Sequence, residues 1–388
     1  MLMLCSFAVA TAEFVLVGLL PQIAGDLAVS LPLAGQLVTV YMLVVTLGGP
    51  AATILTRRVP RRELLIATMA LACLSAALSV PAHSYGVLLA ARLGSALAQA
   101  LFMAVASQVA MAAVPAARQT AAVARVFGGF ALATVIGLPL GALIGQAYGW
   151  RATFVVVAVL AGAGLLGVIL RCPAIPAAGD GEVSGTVRSV LDPLVLRGLL
   201  VTLLALTGFV AVFTYLVPML RSLSGFSAGA AGAVLVGYGL GTVAGNVLAG
   251  RVPPGSVVRL LPAPVAVLAL VLLAQGVLLR YRPLAVAGVV LLGGAAFVVV
   301  PLVQTWLMSR VGPSAAGLVA SVNISVAGLA GALGAALGGV VLASGLGLAW
   351  LSPVAAVPVT LAAVVALDVR RRTAESPDRR TVRGAGQA

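Results

Sequence analysis

Continuous apolar runs of about twenty residues restrict the fold of this chain more than any other feature, since each is long enough to cross a bilayer as a helix. Strands of a membrane barrel would instead alternate polar and apolar residues over about ten residues. Hydrophobic residues make up 62% of the 388 residues and charged residues only 8%, whereas a soluble domain averages about 25% charged residues. The sequence therefore predicts an all-α integral membrane protein.

Twelve such runs indicate twelve transmembrane helices. Their predicted bounds are about 2–22, 33–55, 63–82, 86–113, 120–147, 151–170, 195–220, 228–250, 260–279, 284–308, 315–343 and 349–368. The connection after the sixth run is the longest and contains prolines, glycines and acidic residues. The expected organisation is an N-terminal six-helix bundle over 1–170, a cytoplasmic linker over 171–194, a C-terminal six-helix bundle over 195–368, and a disordered cytoplasmic tail over 369–388.

Arginines are distributed unevenly between the two sets of loops. The richer set, together with the tail, contains Arg57, Arg58, Arg61, Arg62, Arg118, Arg171, Arg188, Arg197, Arg251, Arg259, Arg310, Arg370, Arg371, Arg372, Arg379, Arg380 and Arg383. The opposite loops contain only Arg151, Arg221, Arg280 and Arg282. Because cytoplasmic loops are enriched in basic residues, we expect the linker and both termini to be cytoplasmic.

The net charge of +14 raises the possibility of nucleic-acid binding, but the arginines lie in short loops and no basic stretch is interleaved with aromatic residues. We therefore expect no nucleic-acid partner. The single histidine, His83, is predicted to lie in a loop, and Cys5, Cys73 and Cys172 are far apart. No metal site and no disulfide are predicted.

One segment, Gly225 to Gly229, fits the G-x-S-x-G pattern of serine hydrolases. It lies between two predicted spans without a preceding strand, so we interpret Ser227 as a helix N-cap. No ATP-binding Walker A sequence is present. The chain is not expected to be an enzyme or to carry an organic cofactor.

Glu13 lies near the middle of the first apolar run. A charge at the bilayer centre costs at least about 2.5–3.5 kcal/mol, so such a residue faces a partner, a cavity or water. Burial disfavours the charged form of a carboxyl group. A group in this position can bind a proton from one side and release it to the other, and we interpret Glu13 as a proton-coupling residue. The alternative is a structural carboxylate that pairs with Arg92 or snorkels to water.

Weak repeats relate the two halves of the sequence. The tripeptide Arg58-Val59-Pro60 after the second run recurs as Arg251-Val252-Pro253 after the eighth. The spacing of Gly141 and Gly145 in the fifth run recurs in Gly334 and Gly338 in the eleventh. The pattern predicts two pseudo-symmetric six-helix halves around a midplane site, which is the plan of many secondary transporters.

Three stretches, Thr11–Leu27, Gly35–Leu65 and Gly137–Phe154, together resemble the major facilitator superfamily. Within this superfamily, the sequence looks most like the twelve-span drug:proton antiporter branch. The members of that branch that it resembles most are exporters of the chloramphenicol-resistance and sugar-efflux type. The loop after the second span departs from the usual Asp-Arg-x-Gly-Arg-Arg pattern, because Arg57 replaces the acid and Pro60 the glycine.

The resemblance implies roles for three groups of residues. Arg92, in an arginine-containing pattern of the fourth span, would neutralise Glu13 and set when the proton leaves; the alternative is an interfacial arginine that snorkels. Loop arginines Arg58, Arg61 and Arg62 would form a cytoplasmic gate or simply anchor the topology. The antiporter-type motif of the fifth span consists of Gly137, Pro139, Gly141 and Gly145, which also suit close helix packing.

Polar and aromatic residues inside the spans are candidates for the substrate cavity. The family builds its cavity mainly from spans one, four, seven and ten, with contributions from the flanking spans. The candidates are Tyr41, Gln99, Phe209, Tyr215, Asn246, Gln304, Trp306 and Asn323. Individually each is equally suited to packing or to an interhelical hydrogen bond.

These observations predict a proton-coupled exporter of a small, largely apolar compound such as a chloramphenicol-like antibiotic. It would work by alternating access, as a monomer in a bacterial plasma membrane, with the proton as coupling ion. The alternatives are a sugar or metabolite exporter of the same fold, or a uniporter without coupling. An intramembrane enzyme or a receptor without transport is the alternative outside the transporters.

Overall fold

A computed structural model of the protein describes residues 1–56, 58–112, 126, 128–130, 132–173, 190–253, 256–311 and 313–375. Within these ranges, twelve helices are long and apolar enough to cross a membrane, and no residue forms a strand. The helices are α1 Leu2–Asp26, α2 Leu31–Leu55, α3 Arg61–Ser79, α4 Tyr85–Ala112, α5 Leu138–Tyr148, α6 Trp150–Arg171, α7 Pro193–Thr214, α8 Ala228–Gly250, α9 Pro262–Leu278, α10 Arg282–Arg310, α11 Pro313–Ala343 and α12 Leu351–Glu375. The predicted fold class is confirmed.

Four of these helices are continued by a short neighbouring segment, so that the fifth span runs over Gly128–Tyr148 and the ninth, which begins with a short helix at Val257–Leu260, over Val257–Leu278. A π-helical segment, Ala133–Gly137, leads into α5, and a second short helix, Leu216–Ser222, continues α7 beyond a break at Tyr215. A 3₁₀ turn, Leu348–Trp350, precedes α12. Such irregularities free backbone groups, which in a membrane protein must be satisfied by neighbouring helices.

Local sequence signals start two of the helices. The Asp192 carboxylate accepts a hydrogen bond from the backbone N–H of Leu194 at 2.7 Å, which caps α7. The Ser227 hydroxyl oxygen accepts from the N–H of Ala230 at 3.2 Å and caps α8. The predicted N-cap role of Ser227 is confirmed, because side-chain oxygens at this position satisfy otherwise unpaired N–H groups.

Each half packs its first helix closely against its fifth through glycines. In the N-terminal half, Gly137 lies against Thr11, Gly141 against Val15 and Gly145 against Leu19. In the C-terminal half, Gly334 and Gly338 lie against α7 around Ala211 and Tyr215. Small residues four apart allow this close approach. The sequence repeat in these glycines therefore corresponds to equivalent helix pairs.

The connection between the halves lies mostly outside the described residues, as do Arg57 and residues 376–388 of the predicted tail. The predicted tail begins at residue 369, whereas α12 continues to Glu375. Asp368 accounts for part of this extension, since it pairs with Arg372 one turn later at 2.9 Å and with Arg197 of α7 at 3.0 Å.

Two seams join the halves at the end of the molecule that carries Arg151, Arg221, Arg280 and Arg282, here called the arginine-poor end. Along the first seam, α11 packs on α2, with Gly328 against Thr46. Along the second, the side-chain amide of Gln146 from α5 donates to the carbonyl oxygen of Ala228 from α8.

Candidate functional site

A chain of hydrogen bonds from three helices surrounds Glu13. The Tyr41 hydroxyl of α2 donates to Gln99 Oε1 of α4 at 2.6 Å, and Gln99 Nε2 donates to Glu13 Oε2 of α1 at 2.6 Å. Tyr41 and Gln99 are buried, whereas Glu13 remains partly exposed. Because α5 packs on the face of α1 formed by Thr11 and Val15, Glu13 points away from α5 and toward α4.

Arg92 lies in the same region, and its direct contacts are with α1 and α2. Its guanidinium donates to the carbonyl oxygen of Ala12 at 2.5 Å and stacks over the Tyr41 ring at 4.2 Å. No ion pair within 4.0 Å joins Arg92 to Glu13 among the described residues, and Arg92 Nε is buried without a hydrogen-bond partner. At only 1% exposed, Arg92 is a buried cation and not an interfacial one.

The C-terminal half presents an aromatic cluster toward Glu13. Phe213 stacks on Tyr238 at 4.8 Å and on Phe209 at 5.5 Å, and Phe297 meets both Phe209 and Tyr238 edge to face at 6.5 Å. Offset-stacked and edge-to-face arrangements are the favoured geometries of aromatic pairs. The cluster joins α7, α8 and α10 into one rigid wall.

Tyr238, a member of this aromatic cluster, lies at about the same depth between the ends of the helices as Glu13. Gly18 of α1 lies beside Leu235 of α8, and the two helices run in opposite directions, so Glu13 and Tyr238 lie at similar depths. No hydrogen bond recorded for the described residues involves the Tyr238 hydroxyl, which leaves it free for another partner.

A second polar chain lies within the C-terminal half. The Thr202 hydroxyl donates to Asn323 Oδ1 at 2.7 Å, and Asn323 Nδ2 donates to Gln304 Oε1. A cavity of about 20 Å³ adjoins Thr202 and Asn323, which is room for one water. The chain links α7, α10 and α11, as the chain at Glu13 links α1, α2 and α4.

The other predicted cavity residues lie in different surroundings. Phe209 belongs to the aromatic cluster, whereas Trp306 packs against Gly198 of α7. Tyr215 is fully buried between Gly35 and Gly338, at the first seam. Asn246 is exposed on α8.

The loop arginines are held by different contacts. Arg62 donates from Nε to the carbonyl oxygen of Cys172 and from Nη2 to that of Ile169, both at 2.9 Å, and so caps the last turn of α6. Arg61 is buried, and its one described bond reaches the carbonyl oxygen of Thr56 at 3.5 Å. Arg58 is exposed.

Three residues at the site were not among the sequence candidates, namely Tyr238, Phe213 and Phe297. The i, i+4 spacing of Phe209 and Phe213 places them on one helix face, which was an available signal. No sequence signal singled out Tyr238, because its position opposite Glu13 depends on how the two halves pack together.

Two six-helix halves around a partly exposed carboxylate within the membrane-spanning layer define a membrane transporter built on an internal repeat. Residues 2–335 match the Major Facilitator Superfamily, and the chain belongs to that family.

Relatives from several bacteria support this assignment. The chain is 35% identical to the inner membrane transport protein YdhP of Escherichia coli over 96% of this chain and 95% of that protein. It is 34% identical to the uncharacterised transporter YtbD of Bacillus subtilis over 82% of each. A probable sugar efflux transporter of Mannheimia succiniciproducens is 32% identical over 69% of this chain and 68% of that protein.

The fold is also similar to a solved structure. A bacterial homologue of the human lysosomal transporter Spinster, in an inward-facing and occupied conformation, superposes with a TM-score of 0.78. The match covers 95% of this chain and 96% of that one at 17% identity. At this identity the similarity concerns the fold alone.

Proposed function

We propose that this transporter exports a small, largely apolar compound, such as a chloramphenicol-like antibiotic, in exchange for protons. The observation that carries the proposal is the Tyr41–Gln99–Glu13 chain, which holds a partly exposed carboxylate deep within the membrane-spanning layer. A carboxylate is retained at such a depth where it faces a cavity or a partner. The aromatic cluster opposite it suits an apolar compound.

Proton exchange supplies the energy for export in this scheme. Exchanging one proton for a neutral compound moves one charge, which is worth about 2.3 kcal/mol per 100 mV of membrane potential. Since 1.4 kcal/mol is a factor of ten, each 100 mV supports a concentration gradient of about fiftyfold. The proton binds to Glu13, and the buried positive charge of Arg92 neutralises the carboxylate after the proton leaves and so sets when it leaves.

Export also requires a defined orientation. The arginine-rich loops support a cytoplasmic location for both termini in a bacterial plasma membrane. The arginine-poor end would then face outward. Both walls of the proposed site come from one chain, which supports a working monomer.

Proton release on compound addition tests the proposal directly. The purified transporter is placed in weakly buffered detergent with a pH dye, chloramphenicol is added, and binding is followed separately by calorimetry. We expect release from the wild type, and binding without release from Glu13→Gln. The matched control is Glu63→Gln, because Glu63 is an exposed carboxylate at the start of α3. Equal release from wild type and Glu13→Gln would overturn the coupling role.

Sugar export is the second candidate. The similarity to a protein named as a probable sugar efflux transporter favours it, as does the Thr202–Asn323–Gln304 chain, whose amides suit sugar hydroxyls. The same assay with a panel of sugars separates the two candidates. Proton release with sugars and none with chloramphenicol would assign the sugar role.

A further inference from the structure

A groove of about 440 Å³ opens on the outer surface of the C-terminal half at the arginine-poor end. It lies between the end of α9 and the start of α12. Its walls include Leu273, Gly276, Val277, Arg280, Trp350 and Pro353. The groove is separate from the Glu13 site, which lies on the inner face of the other half.

The groove faces the position of the bilayer. Leu273 is 50% exposed, Val277 59% and Trp350 55%, and all three lie near the ends of membrane-spanning helices. Tryptophan is enriched at this depth, where its ring lies among the lipid headgroups. The apolar wall therefore meets acyl chains while Arg280 and Trp350 meet the headgroup layer.

The Arg280 side chain, like that of the exposed Arg221, has no partner among the described residues, whereas Arg282 and Arg151 are held by neighbouring groups. Arg282 donates to the carbonyl oxygens of Ser224 and Gly225, and Arg151 pairs with Asp26 at 2.6 Å. The Arg280 guanidinium makes no hydrogen bond or ion pair with the described residues. No acidic residue lines the groove, so its charge favours an anionic occupant.

We propose that this groove binds an anionic phospholipid, with the phosphate at Arg280, the headgroup beside Trp350, and an acyl chain along Leu273 and Val277. Guanidinium groups pair well with phosphate oxygens, and a basic residue near a membrane surface favours anionic lipid by about 1 kcal/mol. That free energy corresponds to about a fivefold preference over a zwitterionic lipid.

Gly276 provides a way to fill the groove without disturbing the helices. A Cβ atom built on Gly276 would meet no atom within 4 Å. Gly276→Leu should therefore fold normally while occupying the space of the acyl chain. Gly250 at the end of α8 has equally open surroundings, so Gly250→Leu is its matched control.

Tryptophan fluorescence reports occupancy of the groove. The chain has three tryptophans, and Trp150 and Trp306 are buried whereas Trp350 is exposed, so quenching by brominated acyl chains reports mainly on Trp350. Detergent-solubilised transporter is titrated with brominated phosphatidylglycerol or brominated phosphatidylcholine at equal low mole fraction. We expect phosphatidylglycerol to quench with about fivefold higher apparent affinity.

The variants distinguish a lipid site from its alternatives. Arg280→Gln should remove the preference for phosphatidylglycerol, whereas Arg221→Gln, which removes an exposed arginine at the same end, should keep it. Gly276→Leu should weaken quenching by both lipids, and Gly250→Leu should not. Equal quenching by both lipids in the wild type would indicate ordinary surrounding lipid and overturn the proposal. Displacement by millimolar inorganic phosphate would indicate a free-phosphate site and also overturn it.

Discussion

At the level of single residues, hydrogen bonds from neighbouring side chains fix the position of the Glu13 carboxylate. Gln99 donates to its carboxylate, and Tyr41 in turn donates to Gln99. Gln99 can donate to Glu13 through Nε2 and accept from Tyr41 through Oε1 only in one orientation of its amide. The three side chains therefore act as one unit.

This arrangement predicts a graded loss of transport. Gln99→Leu removes a hydrogen bond to a charged group, worth about 1.5–3 kcal/mol, so we expect proton-driven transport to fall about tenfold or more. Tyr41→Phe removes a neutral bond worth about 0.5–1.5 kcal/mol and should cost only a severalfold loss. Uptake into proteoliposomes with an imposed pH gradient measures both. A larger loss in Tyr41→Phe than in Gln99→Leu would contradict the predicted order.

The sequence was sufficient to select Glu13, Tyr41 and Gln99, because polar residues stand out inside apolar runs. Position along a run gives the depth of a residue but not the helix face it occupies. Trp306 and Tyr215 were selected for their depth and proved to pack against glycines of neighbouring helices. Arg92 was expected to neutralise Glu13, and that role stays a prediction; its direct contacts are with Ala12 and Tyr41.

At the level of helices, the fit of α5 on α1 leads to a second prediction. A Cβ atom on Gly141 would collide with Val15, so Gly141→Ala should lower the free energy of unfolding by about 1–3 kcal/mol, as overpacking does. Val15→Ala in the same chain should recover most of that loss by making room. Thermal unfolding in detergent provides the measurement. The control is Gly86→Ala, since Gly86 has open surroundings; equal loss in both single variants would contradict the packing argument.

The junction of α3 with α6 gives a third prediction. Arg62 bonds to two carbonyl oxygens at the end of α6, where a positive charge also interacts favourably with the helix dipole. Arg62→Gln should destabilise the protein by about 1–3 kcal/mol, whereas Arg58→Gln should change little because Arg58 is exposed. Thermal unfolding compares the stability of the two variants. An equal change in both would contradict a structural role for Arg62.

Helix number and span were predictable because apolar length and membrane thickness fix them. The breaks carry a local signal in prolines. Pro139 and Pro218 lack the N–H groups that would bond to the carbonyl oxygens of Val135 and Thr214, which lie at the π-helical segment and at the end of α7. The sequence alone does not give the geometry that each break adopts. The glycine repeat indicated that the fifth and eleventh helices are equivalent, but not that each packs on the first helix of its half.

For the whole molecule, alternating access requires the two halves to separate along their seams, and a cross-link can test this. A Cβ atom on Gly328 would lie 3.4 Å from the Cβ of Thr46, close to the separation found in disulfides. With the native cysteines replaced, Thr46→Cys with Gly328→Cys should form a bond between α2 and α11. Oxidation should stop transport and reduction should restore it.

A bond inside one half is the control for this experiment. Gly164 of α6 lies against Cys5 of α1, so Gly164→Cys with native Cys5 retained links two helices of the N-terminal half. That bond should leave transport largely intact, since rigid-body rocking would move each half as a unit. Equal inhibition by both cross-links would argue against rigid-body rocking.

The first seam also contains a buried hydroxyl without a hydrogen bond. The Tyr215 ring fits between Gly35 and Gly338, and its hydroxyl has no partner among the described residues. An unsatisfied buried polar group costs about 1–3 kcal/mol, and water would satisfy this one as soon as the seam parts. The close packing of the ring stabilises the closed seam, whereas the unpaired hydroxyl destabilises it, so the same side chain lowers the free energy needed to open the seam that it fills.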